Sequence, residues 1–212
     1  MKIEIWSDIM CPFCYIGKRR LEAALDKFEN KEHVEIIWKS YMLNPTMKTD
    51  TNKNINQYLA EIKGWSLEQA KDMNAHVTNM AKEVGLNYDF DKAIVANSLK
   101  AHCLIQLAKT KNKGNEIEEH LFKAYFTEGK NVDDEKTLVE LGKEIGLEES
   151  EVRLALRDLN YLSEVDKDIR EAQQIGVRGV PFFVIDRKYG ISGAQPESVF
   201  TETLTKAWAE NN

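Results

Sequence analysis

The sequence is short of cysteine, of positive charge and of long apolar runs, and each shortage excludes something. Three cysteines in 212 residues, two of them three positions apart, cannot build the disulfide framework of a small secreted domain. A reducing compartment, the cytoplasm, is therefore expected. No apolar stretch approaches the roughly 20 residues that span a bilayer, so no membrane role is expected. The opening MKIEIWSD has one lysine followed by strand-like alternation, without the apolar core of a secretory leader, and the mature chain is expected to start at Met1. A formal net charge of −6 argues against a nucleic-acid partner, because phosphate binding draws on a concentrated positive surface. What remains is an ordinary globular composition, 42% hydrophobic and 30% charged, in a chain long enough to bury its own core.

Periodicity divides the chain. Lys2 to Ser7 alternate as a short strand, CPFC follows, and Leu21, Ala24, Leu25 and Phe28 then recur on one helical face. Val34 to Leu43 is β-branched and aromatic on both faces, the texture of a central strand in a covered parallel sheet, which makes a βαβ unit. Beyond Asn44-Pro45 the period becomes helical. Ser66 and Gln69 form a capping box before Ala70, Met73, Val77, Met80 and Val84, and Gly85 stops that helix. Further helices are expected over Asp91 to Lys109, after a cap at Asp133 up to Gly146, and through Val165, Ile169 and Ala172 to Gly176. Strand signals return at VPFFVID, a polar turn at Asp186 to Lys188 leads to YGISG, and Pro196 opens a last helix. The expectation is an α/β, thioredoxin-like fold, βαβ plus ββα, formed by residues 1–45 and 177–212 and interrupted by a large all-helical insertion over 46–176.

The CPFC tetrapeptide carries the chemistry. A dithiol exchange catalyst needs one thiol ionised near neutral pH and a second close enough to attack the mixed disulfide that the first one makes. With Cys11 at the cap of the first helix, its sulfur faces unpaired N–H groups that favour a thiolate, and Pro12 at the first helical position loses no hydrogen bond. Cys14, one turn further in, suits the resolving role. The zinc reading of CxxC lacks its other half: there is no second CxxC, and His102 and Cys103 are helix neighbours whose side chains point about 100° apart. No metal is expected. Two buried, inert thiols are the remaining bland reading.

In a thioredoxin-like fold the strand after the insertion begins beside the first helix's N-terminus, and Val180-Pro181 is expected there. Two readings stand equal at that point: a proline facing the cysteines, or one that merely starts a strand where sheets tolerate proline.

The stretches SDIMCPFCYIG (Ser7 to Gly17), NSLKAHCLIQLA (Asn97 to Ala108) and IGVRGVPFFVIDRKYGISGAQP (Ile175 to Pro196) together resemble the DsbA family of thioredoxin-like oxidoreductases, and more narrowly its FrnE-like group. The resemblance implies a DsbA-like fold, Cys11 as nucleophile, Cys14 as resolving thiol, and Val180-Pro181 as the cis-proline segment that receives the substrate chain. Two residues depart from the pattern. Phe13 stands where DsbA itself has histidine, and Cys103 where FrnE-like chains commonly have arginine.

Secondary residues divide between roles. His102 is a packed, hydrogen-bonded histidine or a proton shuttle to a thiol; Cys103 is a small buried hydrophobe or a third redox centre. Trp6 and Phe13 flank the cysteines as an apolar substrate rim or as core. Pro12 and Phe13 join Val180 and Pro181 as candidate substrate-binding residues. The function expected is a protein-disulfide oxidoreductase or isomerase acting on protein or small-thiol disulfides. Its redox group is the Cys11–Cys14 pair itself, with no other cofactor and with glutathione as a candidate co-substrate. The alternatives are a glutathione-dependent isomerase or transferase resembling 2-hydroxychromene-2-carboxylate isomerase or the kappa class of glutathione transferases, whose members usually carry serine at the Cys11 position, and a non-catalytic binding module.

Overall fold

In the computed structural model, which describes residues 1–211, the last position of the expected 177–212 segment lies outside the described residues. The chain opens with β1 (Lys2–Ser7), α1 (Pro12–Asp26) and β2 (Glu35–Ser40). It continues through β3 (Asp50–Asn54), α2 (Ile55–Lys63), α3 (Leu67–Glu83), β4 (Ile94–Val95), α4 (Leu99–Thr110), α5 (Gly114–Phe126), α6 (Glu135–Glu144), α7 (Glu149–Ala155) and α8 (Leu159–Gln174). β5 (Phe182–Ile185), β6 (Tyr189–Ser192) and α9 (Glu197–Asn211) close it. Two compact units result: Met1–Leu43 with the chain from Ser163 onward, and Asn44–Leu162. Among the described residues no helix is long and apolar enough to cross a membrane.

The first unit is built on a sheet of order β2-β1-β5-β6. β2 runs parallel to β1 with Ile5 opposite Trp38, and β5 runs antiparallel to it with Ile5 opposite Phe183. The expected βαβ and hairpin-plus-helix units are both present. Val34 to Leu43, however, supplies an edge strand, and β1 and β5 are the inner ones. Both faces of β2 are partly covered, which is why an edge strand reads as apolar as an inner one: Trp38 is buried and Ile36 and Ile37 half-buried.

The two faces of this sheet are dressed differently. On one, Ile3, Ile5, Trp38 and Phe183 are buried, with Phe183 edge-on to Phe200 of α9 at 4.8 Å. On the other, Trp6, Val184 and Ala172 of α8 form a core patch with Val177. Trp6 is thus core, its indole N–H donating to the Asp168 carbonyl at 2.9 Å, and takes no part in a substrate rim.

The second unit is helical apart from a two-stranded antiparallel ladder, β3 with β4, in which Asp50 lies opposite Val95. That ladder shortens one expected helix. Residues 91–98 do not join α4 because Ile94 and Val95 pair with β3, and the Asn97 side chain then accepts from Leu99 N at 2.8 Å where the helix starts. The capping box folds as its spacing dictates, with Ser66 and Gln69 reciprocally bonded ahead of α3. The face of α3 turned inward is Ala70, Asn74, Val77 and Ala81, and Met73 points outward. The cap of α6 is Asp134, accepting from Thr137 N at 2.8 Å, while Asp133 instead pairs with Lys100.

Cys103 lies fully buried on α4, and burial, with a smaller contribution from the Asp158 carboxylate, pushes its thiol up to about 11. A raised folded-state pKa means that the folded protein holds a proton the unfolded chain releases. That stability is present below the unfolded thiol value and is lost as pH rises toward about 11. Urea unfolding between pH 8 and 10.5 should show stability falling with a Cys103 contribution on the order of 1 kcal/mol per pH unit. Cys103→Ala should flatten that part of the slope; an unchanged slope would exclude the thiol as its source.

Candidate active site

The site grows from the end of β1. Asp8 is buried behind the turn that follows the strand, and its two carboxylate oxygens are divided between two main-chain donors: Oδ1 accepts from Met10 N at 3.2 Å and Oδ2 from Leu43 N at 2.7 Å. The Asp8 carbonyl takes the Cys11 N–H at 2.9 Å. These bonds tie the approach to α1 to the end of the β2 segment. Cys11 then occupies the N-cap in extended conformation (φ −96°, ψ 111°) and Pro12 the first helical position. The cap is a place where unpaired N–H groups favour negative charge. The Cys14 N–H donates to the Cys11 carbonyl at 3.0 Å, the first bond of the helix.

Cys11, Cys14 and Cys103 are all free thiols. Cys11 is 4% exposed and Cys14 1%, so the outer thiol is less open than its cap position alone implies. Its neighbour is the main chain of Val180, whose carbonyl accepts from the Cys11 thiol at 3.4 Å. Cys14 is held well above the ordinary thiol range, first by burial and then by the hydrogen bond and negative charge of Cys11; the Asp8 main chain and the Ser7 hydroxyl act in the opposite sense with smaller effect. One thiol sits at the helix mouth and the other is kept protonated one turn behind it.

The Val180-Pro181 peptide is cis. Pro181 immediately precedes β5, and it is the carbonyl of Val180 before it that meets the Cys11 sulfur. The Pro181 carbonyl accepts from Gly193 N at 2.8 Å, anchoring the segment to the turn after β6. Phe13 is 38% exposed at the start of α1, while Pro12 is half-buried. His102 lies in the second unit, buried on α4, with its main-chain N–H donating to the Ser98 carbonyl at 2.9 Å. Asp8 is a residue that periodicity and motif spacing do not single out. Its signal was an aspartate two positions before a main-chain donor at a strand end, the pattern of an Asx-turn.

A CxxC dithiol at the cap of the first helix of a thioredoxin-like sheet, beside a proline that opens a later strand, defines the class of thioredoxin-like thiol proteins. The chain belongs to the DSBA-like thioredoxin domain family, whose model matches residues 2–205, and its fold is the DsbA-like one, a thioredoxin sheet with a helical insertion. It is similar to a probable DsbA oxidoreductase from Streptomyces coelicolor at 40% identity, covering 99% of this chain and 91% of that one with a TM-score of 0.93. Bacillus subtilis (strain 168) YwbO, an uncharacterized protein, is 26% identical over 96% of this chain and 95% of its own. The fold is shared with the cytosolic disulfide reductase DsbM from Pseudomonas aeruginosa, at 17% identity, 97% and 98% coverage and a TM-score of 0.70.

Removing the Asp8 carboxylate leaves two main-chain donors without their acceptor. Asp8→Ala should lower unfolding free energy by about 2 kcal/mol, and Asp8→Asn, which keeps one acceptor oxygen, by roughly half as much. Denaturant titration of the two variants checks the order; equal stability of both with the parent would remove Asp8 from the supports of the turn.

Proposed function

We propose that the protein is a thiol:disulfide oxidoreductase for protein or small-thiol disulfides, with Cys11 as nucleophile and Cys14 as resolving thiol. The observation that carries this reading is the unequal setting of two thiols on one helix: Cys11 at the cap against the Val180 carbonyl, Cys14 enclosed and held protonated by burial. In the forward direction the Cys11 thiolate attacks one sulfur of a substrate disulfide, forming a Cys11–substrate bond and expelling the other substrate sulfur, which takes up a proton. Cys14 then loses its proton and attacks Cys11, releasing the second substrate thiol. The substrate disulfide gains two electrons and the Cys11–Cys14 dithiol becomes a disulfide. Run in reverse, the same steps oxidise a substrate dithiol, and the potential of the pair against its compartment sets the direction.

Val180 supports the substrate-docking role assigned to this segment. Its carbonyl accepts from the Cys11 thiol, and that acceptor is released once the sulfur is ionised or bonded to substrate. An extended substrate chain can then pair with it through main-chain contacts that disregard side-chain identity. Pro181 adjoins the same contact, and Phe13 and Pro12 border the cysteine pair on α1. A cytosolic setting, the one named for DsbM, accords with a chain whose three cysteines are too few for a disulfide framework. The glutathione-dependent isomerase or transferase alternative has no need of Cys14, and the same variants separate the two readings.

Insulin reduction should be lost in Cys11→Ser, while Cys14→Ala should accumulate covalent adducts at Cys11 visible by non-reducing electrophoresis and mass spectrometry. Adducts trapped by Cys11→Ala and not by Cys14→Ala would reverse the roles. A thiol whose pKa is raised is protonated at neutral pH, so the rate of adduct release should climb about tenfold per pH unit from pH 7 and show no plateau below the ordinary thiol range. A pH-independent release rate would exclude Cys14 as the attacking group.

A further inference from the structure

Gly17 lies in the middle of α1, where glycine is a poor helix former, and it is buried. The reason for a glycine here is contact. A methyl carbon at this position would stand 3.0 Å from Pro181 Cγ and 3.1 Å from Phe183 Cζ, inside the ordinary carbon–carbon contact of about 3.5 to 4.0 Å. Phe183 is fully buried between this helix and Phe200 and has little room to give. Pro181 has no side-chain rotamers and only a change of ring pucker with which to give way, so a push that the pucker does not absorb passes to its main chain. Its nitrogen is bonded directly to the Val180 carbonyl carbon. Two contacts therefore join the same pair of segments: Cys11 to Val180 at the helix cap, and Gly17 to Pro181 further along the helix.

We propose that Gly17 is a positioning residue for the exchange reaction: its missing side chain lets α1 approach Pro181 closely enough to seat the Val180 carbonyl against the Cys11 sulfur. The inference rests on the proposed dithiol function and adds to it the element that sets the distance between nucleophile and docking segment. An alanine here would drive Pro181 away from α1 and carry Val180 with it. Sub-ångström misplacement of a docked group is enough to slow a reaction by an order of magnitude or more.

The test is a double-mutant comparison. Gly17→Ala should reduce kcat/KM for insulin reduction by roughly 10-fold with Pro181 in place, and by less than about twofold in a Pro181→Ala background, where the ring that meets the methyl is gone. The whole comparison is repeated with Phe183→Leu, which relieves the second clash should Gly17→Ala fold poorly. A second readout needs no disulfide substrate. The Val180 carbonyl covers the Cys11 sulfur in the resting protein, so its withdrawal should open that sulfur and raise the rate of Cys11 alkylation by iodoacetamide at fixed pH by about threefold, followed for each cysteine by mass spectrometry. Equal losses of turnover in both Pro181 backgrounds, with alkylation unchanged, would overturn the proposal. A parent protein that exchanges no disulfide would instead overturn the proposed function, and the alkylation rates alone would then decide the role of Gly17.

Discussion

The site depends on β1 being paired along both edges. This strand is buried almost throughout, parallel to β2 on one side and antiparallel to β5 on the other. Antiparallel pairing has a geometric consequence: with Trp6 opposite Phe182, the residues after β1 and those before β5 come to the same end of the sheet. The turn Asp8 to Cys11 and the dipeptide Val180-Pro181, 169 positions apart between the bonded residues, therefore meet without either being aimed at the other. A helix that starts at that end points its unpaired N–H groups at the junction.

What holds the opposite face of the sheet is electrostatic as much as apolar. Lys39 lies beside Trp6 in register and reaches Asp168 at 3.1 Å and Glu171 at 2.9 Å on α8. Burial works against its ammonium, but the Asp168 and Glu171 carboxylates outweigh that and raise its pKa above the ordinary lysine range. Arg187 in the β5–β6 turn pairs with Glu4 and, at 2.7 Å, with Glu171. Arg187 sits at φ 56° and Asp186 at φ 48°, a backbone region with a steric cost for side chains other than glycine. The cost is offset locally, because Asp186 Oδ1 accepts from Lys2 N at 2.6 Å while Arg187 joins the carboxylates. Such a cluster contributes little net stability compared with apolar packing, and its stronger effect is on geometry: it docks α8 on one register of the sheet. Ser40 N donating to Asp168 Oδ2 at 3.0 Å ties the end of β2 to the same helix.

The features legible in the sequence are those set by neighbours within a few positions. The dithiol at a helix cap, the Ser66–Gln69 capping box and the polar turn at Asp186 to Lys188 are local patterns, and the structure keeps each. Features that depend on a partner far along the chain were misread or missed. Trp6 could be rim or core by its spacing, and its burial is decided by Ala172 and Val184. β2 looks central because its faces are covered, a property that apolar content reports, whereas its edge position is a matter of which strands it bonds. The ladder of β3 with β4 joins residues 40 to 45 positions apart, with charged and amide residues on one side of it, and no period-two apolar signal announces it. Gly17 was visible as a residue, but a helical glycine has meaning only once its neighbour across the gap is known to be a proline ring.

The two thiols of the CxxC pair differ because of depth, and Cys103 supplies an internal comparison. No thiol or ammonium is among the influences on Cys103, and burial is the main one; that is enough to lift it to about 11. Cys14 has the same leading cause, reinforced by the negative charge of Cys11. In the proposed exchange that reinforcement disappears when Cys11 is bonded to substrate, since a disulfide sulfur carries no charge, and the burial contribution stays. The resolving thiol then becomes easier to ionise when there is a mixed disulfide for it to attack, and harder when there is none. A single turn of helix produces this ordering, with the cap residue at its mouth and Cys14 behind it.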